Sequence, residues 1–166
     1  MTTQSLEIQL AKFEHLIDGS DPALTLSAIA NAWPRQVVLS TSFSFEDQVI
    51  THLVASNLIP IDLFTIDTGR LFAETYSTWT ATLEKYKVPI TAYYPDAQAL
   101  QQFVVANGPN AFYESVDHRK NCCHIRKVEP LQRALRNRKV WITGIRAAHS
   151  PNRQTMPQIE WDEANE

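Results

Sequence analysis

Hydrophobic and polar positions fall along this chain in blocks of two kinds. Four short runs are rich in β-branched and aromatic residues: "QVVLST" (36–41), "IDLFTI" (61–66), "PITAYY" (89–94) and "KVWITG" (139–144). Runs of this length, bounded by turn or polar residues, predict buried strands of a parallel sheet. Between them lie segments with apolar residues at helical spacing. "FEDQVITHLVASN" (45–57) places Val49, Ile50, Leu53 and Val54 on one stripe. "FAETYSTWTATLEKYK" (72–87), "AQALQQFVVAN" (97–107) and "RKNCCHIRKVEPLQRALRN" (119–137) complete the set. The first 32 residues read as two helices, with Asp21-Pro22 opening the second.

Alternating strand and helix argues for an α/β fold: a parallel, twisted sheet with flanking helices and right-handed crossovers. No internal repeat, low-complexity stretch or linker interrupts it. The expectation is one domain over 1–166, with N-terminal helices at 1–32 and an α/β core at 33–166. In such sheets the ligand sits beyond the carboxyl ends of the strands.

Composition narrows the class. At 44% hydrophobic and 20% charged residues, the chain is that of an ordinary globular protein. The longest apolar runs, such as "VVL" and "VVA", are far too short to span a bilayer. The amphipathic start "MTTQSLEIQLAKFEHL" carries Glu7 and Glu14 where a secretory signal needs apolar residues, so a cytoplasmic location is expected. Two cysteines rule out a disulfide framework. The net charge of −3 conceals an asymmetry: 10 of the 15 basic residues lie between His118 and Arg153, with Glu129 the sole acid among them. Such a segment repels itself unless an anion sits nearby. A solvated helix face accounts for Arg133, Arg136, Arg138 and Lys139. Nucleic acid is a poor partner, because the basic segment lacks interleaved aromatics and the pI is about 5.9.

The candidate chemistry falls at strand ends. In "LSTSFSFEDQ" (39–48), Ser40, Thr41, Ser42 and Ser44 place hydroxyls where a helix start offers free N–H groups, an arrangement that binds phosphate. Plain N-capping by Ser44, with Asp47 completing a capping box, explains the same residues. In "FTIDTGRLFAETY" (64–76), Asp67 ends a strand and Thr68, Gly69 and Arg70 follow. Asp67 suits a ribose hydroxyl or adenine amine, Gly69 permits close backbone approach and Arg70 suits an anion; a turn capped by Asp67 or Thr68 is the structural alternative. In "WITGIRAAHSPNRQ" (141–154), Gly144, Arg146, His149, Ser150 and Arg153 suit a phosphate or sulfate, which the planar guanidinium matches. In "KNCCHIRK" (120–127), Cys122 and Cys123 suit two corners of an iron–sulfur cluster more than zinc. Lys127, four residues after Cys123, would stabilise an anionic cluster or sulfate. Two buried small hydrophobes on a helix are the alternative there.

Taken together, "STSFSFEDQVI", "FTIDTGRLFAETY", "FYESVDHRKNCCHIRKVEPLQRAL" and "WITGIRAAHSPNRQTMPQIEWDEAN" resemble, in order, the sulfonucleotide reductases. These are the adenylyl-sulfate (APS) and phosphoadenylyl-sulfate (PAPS) reductases of assimilatory sulfate reduction. The resemblance covers roughly residues 36–165, and "CCHIRKVEPL" resembles the cluster-bearing APS branch. It implies an adenine nucleotide α-hydrolase-like fold. It implies that Ser40, Ser42, Phe43, Ser44, Asp47, Asp67, Thr68, Gly69 and Arg70 line a nucleotide pocket, with Arg119, Gly144 and His149 also at the substrate. Arg146 and Arg153 would face the phosphosulfate. Cys122 and Cys123 would hold two corners of a [4Fe–4S] cluster with Lys127 nearby; no flavin or nicotinamide is implied. The implied reaction is attack by a cysteine thiolate on the sulfur of APS, expelling AMP, followed by release of sulfite by thioredoxin or glutaredoxin. A homo-oligomer is compatible with the resemblance.

The chain departs from this pattern in two places. The family continues for a further segment holding a second cysteine pair and the nucleophile in an "ECGLH"-type ending, absent from these 166 residues, so no catalytic thiol is expected here and the isolated chain should not turn over. The family usually has glutamine at the position of His149. Three other readings remain at this point: a PAPS reductase, an ATP-using adenylyl-transfer enzyme, from whose "SGGxDS"-like loop "STSFSFED" departs, and a non-catalytic nucleotide- or anion-binding module.

Overall fold

A computed structural model describes residues 11, 13–17, 21–145 and 157–163. In chain order the elements are α1 (Pro22–Ala32), β1 (Val37–Ser40), α2 (Phe45–Ser56), β2 (Asp62–Ile66), α3 (Ala73–Tyr86), β3 (Ile90–Tyr93) and α4 (Ala97–Asn107). There follow a 3-10 turn (Ala111–Tyr113), α5 (Val116–Cys123), a wide helical turn (His124–Val128), α6 (Glu129–Leu135) and β4 (Val140–Ile142). The strand order is β3-β2-β1-β4, and the parallel α/β class expected from the alternation is observed. Two compact units divide the chain, one up to Asp62 and from Arg138 onward, the other Leu63–Asn137.

In the first unit β1 pairs in parallel with β4, Val37 opposite Val140, Val38 opposite Trp141 and Leu39 opposite Ile142. Val37, Val38 and Leu39 are all buried, which is why the run shows no polar alternation. Asp21 caps α1 as its sequence position predicts: Oδ1 accepts from the N–H groups of Ala23 (2.8 Å) and Leu24 (3.2 Å), and Pro22 occupies the first turn. The stripe expected on α2 is observed in part: Val54 is buried and Ile50 and Leu53 are half-buried, while Val49 is 60% exposed. Asp47 and Thr51 are buried as well, the carboxylate being held by local bonds. Arg138 ties the unit together, donating through Nη1 to Asp62 (2.7 Å) and to the carbonyl of Arg35 (2.8 Å).

In the second unit β2 pairs in parallel with β3 from Leu63 opposite Ile90 to Ile66 opposite Tyr93. Asp67 extends the ladder by one bond, its N–H reaching the carbonyl of Tyr93 at 2.9 Å. The cysteine-bearing helix starts at Ser115, whose hydroxyl accepts from the His118 N–H at 3.0 Å. It is not regular. Past Cys123 the turns widen, so that the N–H of Glu129 reaches back to the carbonyl of His124. Pro130 explains the change. It has no N–H to give, and in a regular helix its ring would strike the carbonyl of residue 126. Glu129 and Arg133 then form a two-pronged pair at 2.7 and 3.0 Å. Cys122 packs with Phe103 and Ala111, flanked by Val104, Phe112 and Ile125.

Leu39 is fully buried in β1. Leu39→Ala is expected to cost about 3 kcal/mol, read as a lower urea midpoint with unchanged slope.

Candidate functional site

The loop after β1 turns on a buried acid. Asp47, 4% exposed, accepts through Oδ2 from both the N–H (2.6 Å) and the hydroxyl (2.7 Å) of Ser42. Phe43 takes a positive φ of 64°, and its N–H donates to the Thr41 hydroxyl oxygen at 3.0 Å. Ser44 caps α2, its hydroxyl accepting from the Asp47 N–H at 3.4 Å. The capping role of Ser44 is therefore observed, but Asp47 reaches back to Ser42 instead of closing a reciprocal box. Ser40 is engaged as well. Its hydroxyl donates to the carbonyl of Ile142 (3.4 Å) and accepts from the Trp141 indole (2.9 Å).

These bonds change the chemistry expected of the loop. Glu46 and Asp47 already answer the positive end of α2, so the helix start is poorly suited to a phosphate. A turn with its hydroxyls committed and a carboxylate beneath it suits a neutral, hydrogen-bonding group such as a sugar or base. Gly144 lies against the same place. A Cβ on it would stand 2.3 Å from Asp47 Oδ1 and 2.8 Å from the Asp47 nitrogen, so only glycine is accommodated.

The second unit holds the other cluster of candidates. Asp67, 5% exposed, accepts the Gly69 N–H through Oδ1 (2.8 Å), and the Tyr76 hydroxyl donates to its two oxygens at 3.0 and 2.9 Å. The Thr68 hydroxyl oxygen accepts the Arg70 N–H at 3.2 Å, and Gly69 takes φ 69°. Asp67 and Thr68 thus cap the turn; α3 itself starts at Phe72 without a side-chain cap. Arg70 donates through one nitrogen, Nη2, to the carbonyl of Pro109 and to Asn110 Oδ1 and lies 4.8 Å over the Phe112 ring; the residue itself is exposed. Tyr76 was not singled out by the sequence reading; a phenol nine residues after the strand-end acid, on the first turns of the next helix, was the available signal.

Cys122 is buried and Cys123 exposed, with Arg119 and Lys127 exposed nearby in sequence. Among the described residues no group of three or more Cys, His, Asp or Glu is arranged to hold a metal ion. The two thiols, one of them committed to apolar packing, do not by themselves make up the ligand set of a four-iron cluster. Arg146, His149, Ser150 and Arg153 lie outside the described residues.

Two outcomes check this geometry. Gly144→Ala is expected to destabilise the chain by about 1–3 kcal/mol, read by denaturant titration, because the methyl would overlap the backbone of α2. The hydrogen bond to Asp67 holds the Tyr76 phenol above its ordinary pKa of 10.0, with desolvation and the Asp67 charge acting the same way. Because the folded value is the higher one, the stabilisation is complete below pH 10.0 and lost as pH rises through the raised value. Native-minus-Tyr76→Phe difference titration of the phenolate band should give a midpoint above 10.0 that falls back in Asp67→Asn; equal midpoints would contradict it.

Residues 36–166 match the phosphoadenosine phosphosulfate reductase domain family. A protein of Sinorhizobium fredii named adenosine 5'-phosphosulfate reductase is 43% identical over 162 residues, covering 98% of this chain and 64% of that protein. One of Burkholderia cepacia with the same name is 43% identical over 129 residues, covering 78% of this chain and 52% of its own. The chain therefore spans less than two thirds of the length of these relatives. The crystal structure of a PAPS reductase from Candida auris, in a phosphate complex, superposes with a TM-score of 0.67 at 27% identity, covering 84% of this chain and 66% of that one. Its likeness extends the parallel α/β description to an adenine nucleotide α-hydrolase-like fold. The order of motifs, the fold and the match over most of the chain agree, and the chain belongs to the phosphoadenosine phosphosulfate reductase family, the sulfonucleotide reductases.

Proposed function

We propose that this chain is the sulfonucleotide-binding part of a reductase that converts adenylyl sulfate to sulfite and AMP. The observation that carries the reading is the name shared by its relatives, adenosine 5'-phosphosulfate reductase. The adjacent Cys122 and Cys123 support the same branch. A protein dithiol of the thioredoxin or glutaredoxin type is the reductant in this reading, and a reducing compartment such as the cytoplasm is where such chemistry runs.

The bookkeeping is simple. A thiolate attacks the sulfur of adenylyl sulfate, the sulfur–oxygen bond to the phosphate breaks, and AMP leaves with the bond's electron pair. The S-sulfocysteine so formed is attacked at its cysteine sulfur by the reductant. Sulfite departs, and the reductant's second thiol closes a disulfide, supplying the two electrons that the sulfur gains. Within these 166 residues the cysteines are Cys122 and Cys123, and neither is assigned as the nucleophile. The serine loop with its buried Asp47 suits the adenosine. Asp67, held by Tyr76 and the Gly69 N–H, suits a ribose hydroxyl or the adenine amine. Arg119, Lys127, Arg146 and Arg153 supply cations for the phosphosulfate. A [4Fe–4S] cluster would take two thiolates from this pair and two from outside these 166 residues.

Calorimetric titration of the 166-residue chain with adenylyl sulfate and with AMP should give saturable heat, weakened at least tenfold by Asp67→Asn, which removes a charge-assisted acceptor (roughly 1.4 kcal/mol or more). No sulfite should form when thioredoxin is added. Absence of heat with both nucleotides would sink the reading, and sulfite release would overturn the assignment of the nucleophile. Tighter binding of the 3'-phosphorylated nucleotide would move the substrate to phosphoadenylyl sulfate.

A further inference from the structure

Arg126 has no part in the chemistry above, yet it is 8% exposed. It lies in the wide turn after the cysteine pair, four residues past Cys122, which is buried to the same degree. Its Nη1 donates to the carbonyl of Thr68 at 2.5 Å, and the same nitrogen stands 3.4 Å from where a side chain on Gly69 would begin. Its Nε is buried without a partner. Among the described residues no carboxylate pairs with it.

A guanidinium buried with one carbonyl for company is costly, and an apolar side chain of similar volume would pack as well or better. Core packing therefore does not explain it. What Arg126 does is reach from the helix of the cysteines to the turn of Asp67. Local bonds shape that turn: Gly69 N–H to Asp67, Arg70 N–H to Thr68, Tyr76 to Asp67. None of them reaches the helix of Cys122 and Cys123, and Arg70 reaches only the Phe112 ring that flanks Cys122. The bond from Arg126 joins turn and helix directly, and it acts on the backbone, so it does not depend on the side chain at position 68. Arginine suits the task because its charge is permanent and its donors are held in one rigid plane.

We propose that Arg126 is a positioning residue that couples the Asp67–Arg70 turn to the cysteine helix, so that a ligand on the turn is felt at the thiols. The link itself is independent of the proposed function; its response to ligand rests on that reading. Hydrogen exchange on the whole chain tests the link directly. In Arg126→Met the amides of Gly69 and Arg70 should exchange at least about tenfold faster, the loss expected for one charge-assisted bond, with β1 unchanged. Arg126→Lys should recover part of the protection. Unchanged exchange in Arg126→Met, or acceleration spread evenly over Leu63–Asn137 as from a plain core defect, would overturn the proposal.

The ligand response is read separately by alkylation of the exposed Cys123. Saturating AMP should slow labelling severalfold in the native chain and in Arg126→Lys, and leave the rate of Arg126→Met unaltered. Equal protection in all three would overturn the coupling. If the native chain binds no AMP, the nucleotide reading fails, while the exchange experiment still decides the link.

Discussion

The carboxylate of Asp47 is the constraint around which the first unit is organised. It is buried, it takes both donors of Ser42, and it sits where Gly144 comes closest. A buried acid is tolerable only when its lone pairs are answered. Here the answer comes from the loop that enters its own helix, so loop shape and helix start are set together. Phe43 can hold its left-handed backbone because the turn around it is over-determined. The loop is pre-shaped, and its hydroxyls serve that shape before they serve any ligand.

The second unit solves a similar problem with the same kind of part. Asp67 ends a strand, is buried, and is satisfied by a backbone N–H two residues on and by a phenol from the next helix. Each unit thus buries an acid, Asp47 in the first turn of α2 and Asp67 just past β2, while the cations gather on the cysteine-bearing helix. Part of that positive charge is neutralised internally: Arg133 pairs with Glu129, and Arg138 with Asp62. Arg119, Lys120 and Lys127 remain exposed around the thiols without a partner among the described residues. Arg136 and Lys139, further along the segment, are exposed as well. An anionic ligand or cluster would relieve the charge beside the thiols.

How much of this was legible in the sequence differs from residue to residue for physical reasons. β1 was legible because Val37, Val38 and Leu39 are buried in a row, and continuous hydropathy reports that directly; β3 and β4 stand where their β-rich runs predict, but their residues are half-buried or exposed and not buried as expected. The start of α1 was legible because Asp-Pro acts locally. The buried face of α2 was legible at Val54 but not at Asp47 and Thr51, which are polar; the burial of Asp47 depends on Ser42, which hydropathy does not see. Tyr76 and Arg126 were passed over for the same reason: their bonds span 9 and 58 residues. The hold of Arg70 on the Pro109–Asn110 turn was not legible, because its partners lie 39 and 40 residues away. Long ordered motifs carried the family where single residues did not carry their roles.

The widened turn at His124–Val128 has a consequence for how this segment can vary in length. Removing one residue there would restore a regular helix and set the ring of Pro130 against a carbonyl. Because the wide turn closes with five residues a bond that a regular turn closes with four, it already absorbs one residue; a further insertion would turn the downstream residues by about 100° relative to the thiols. Substitutions between Cys123 and Pro130 can be absorbed by side chains; insertions and deletions cannot. The spacing from the cysteine pair to the proline is a fixed ruler in this chain.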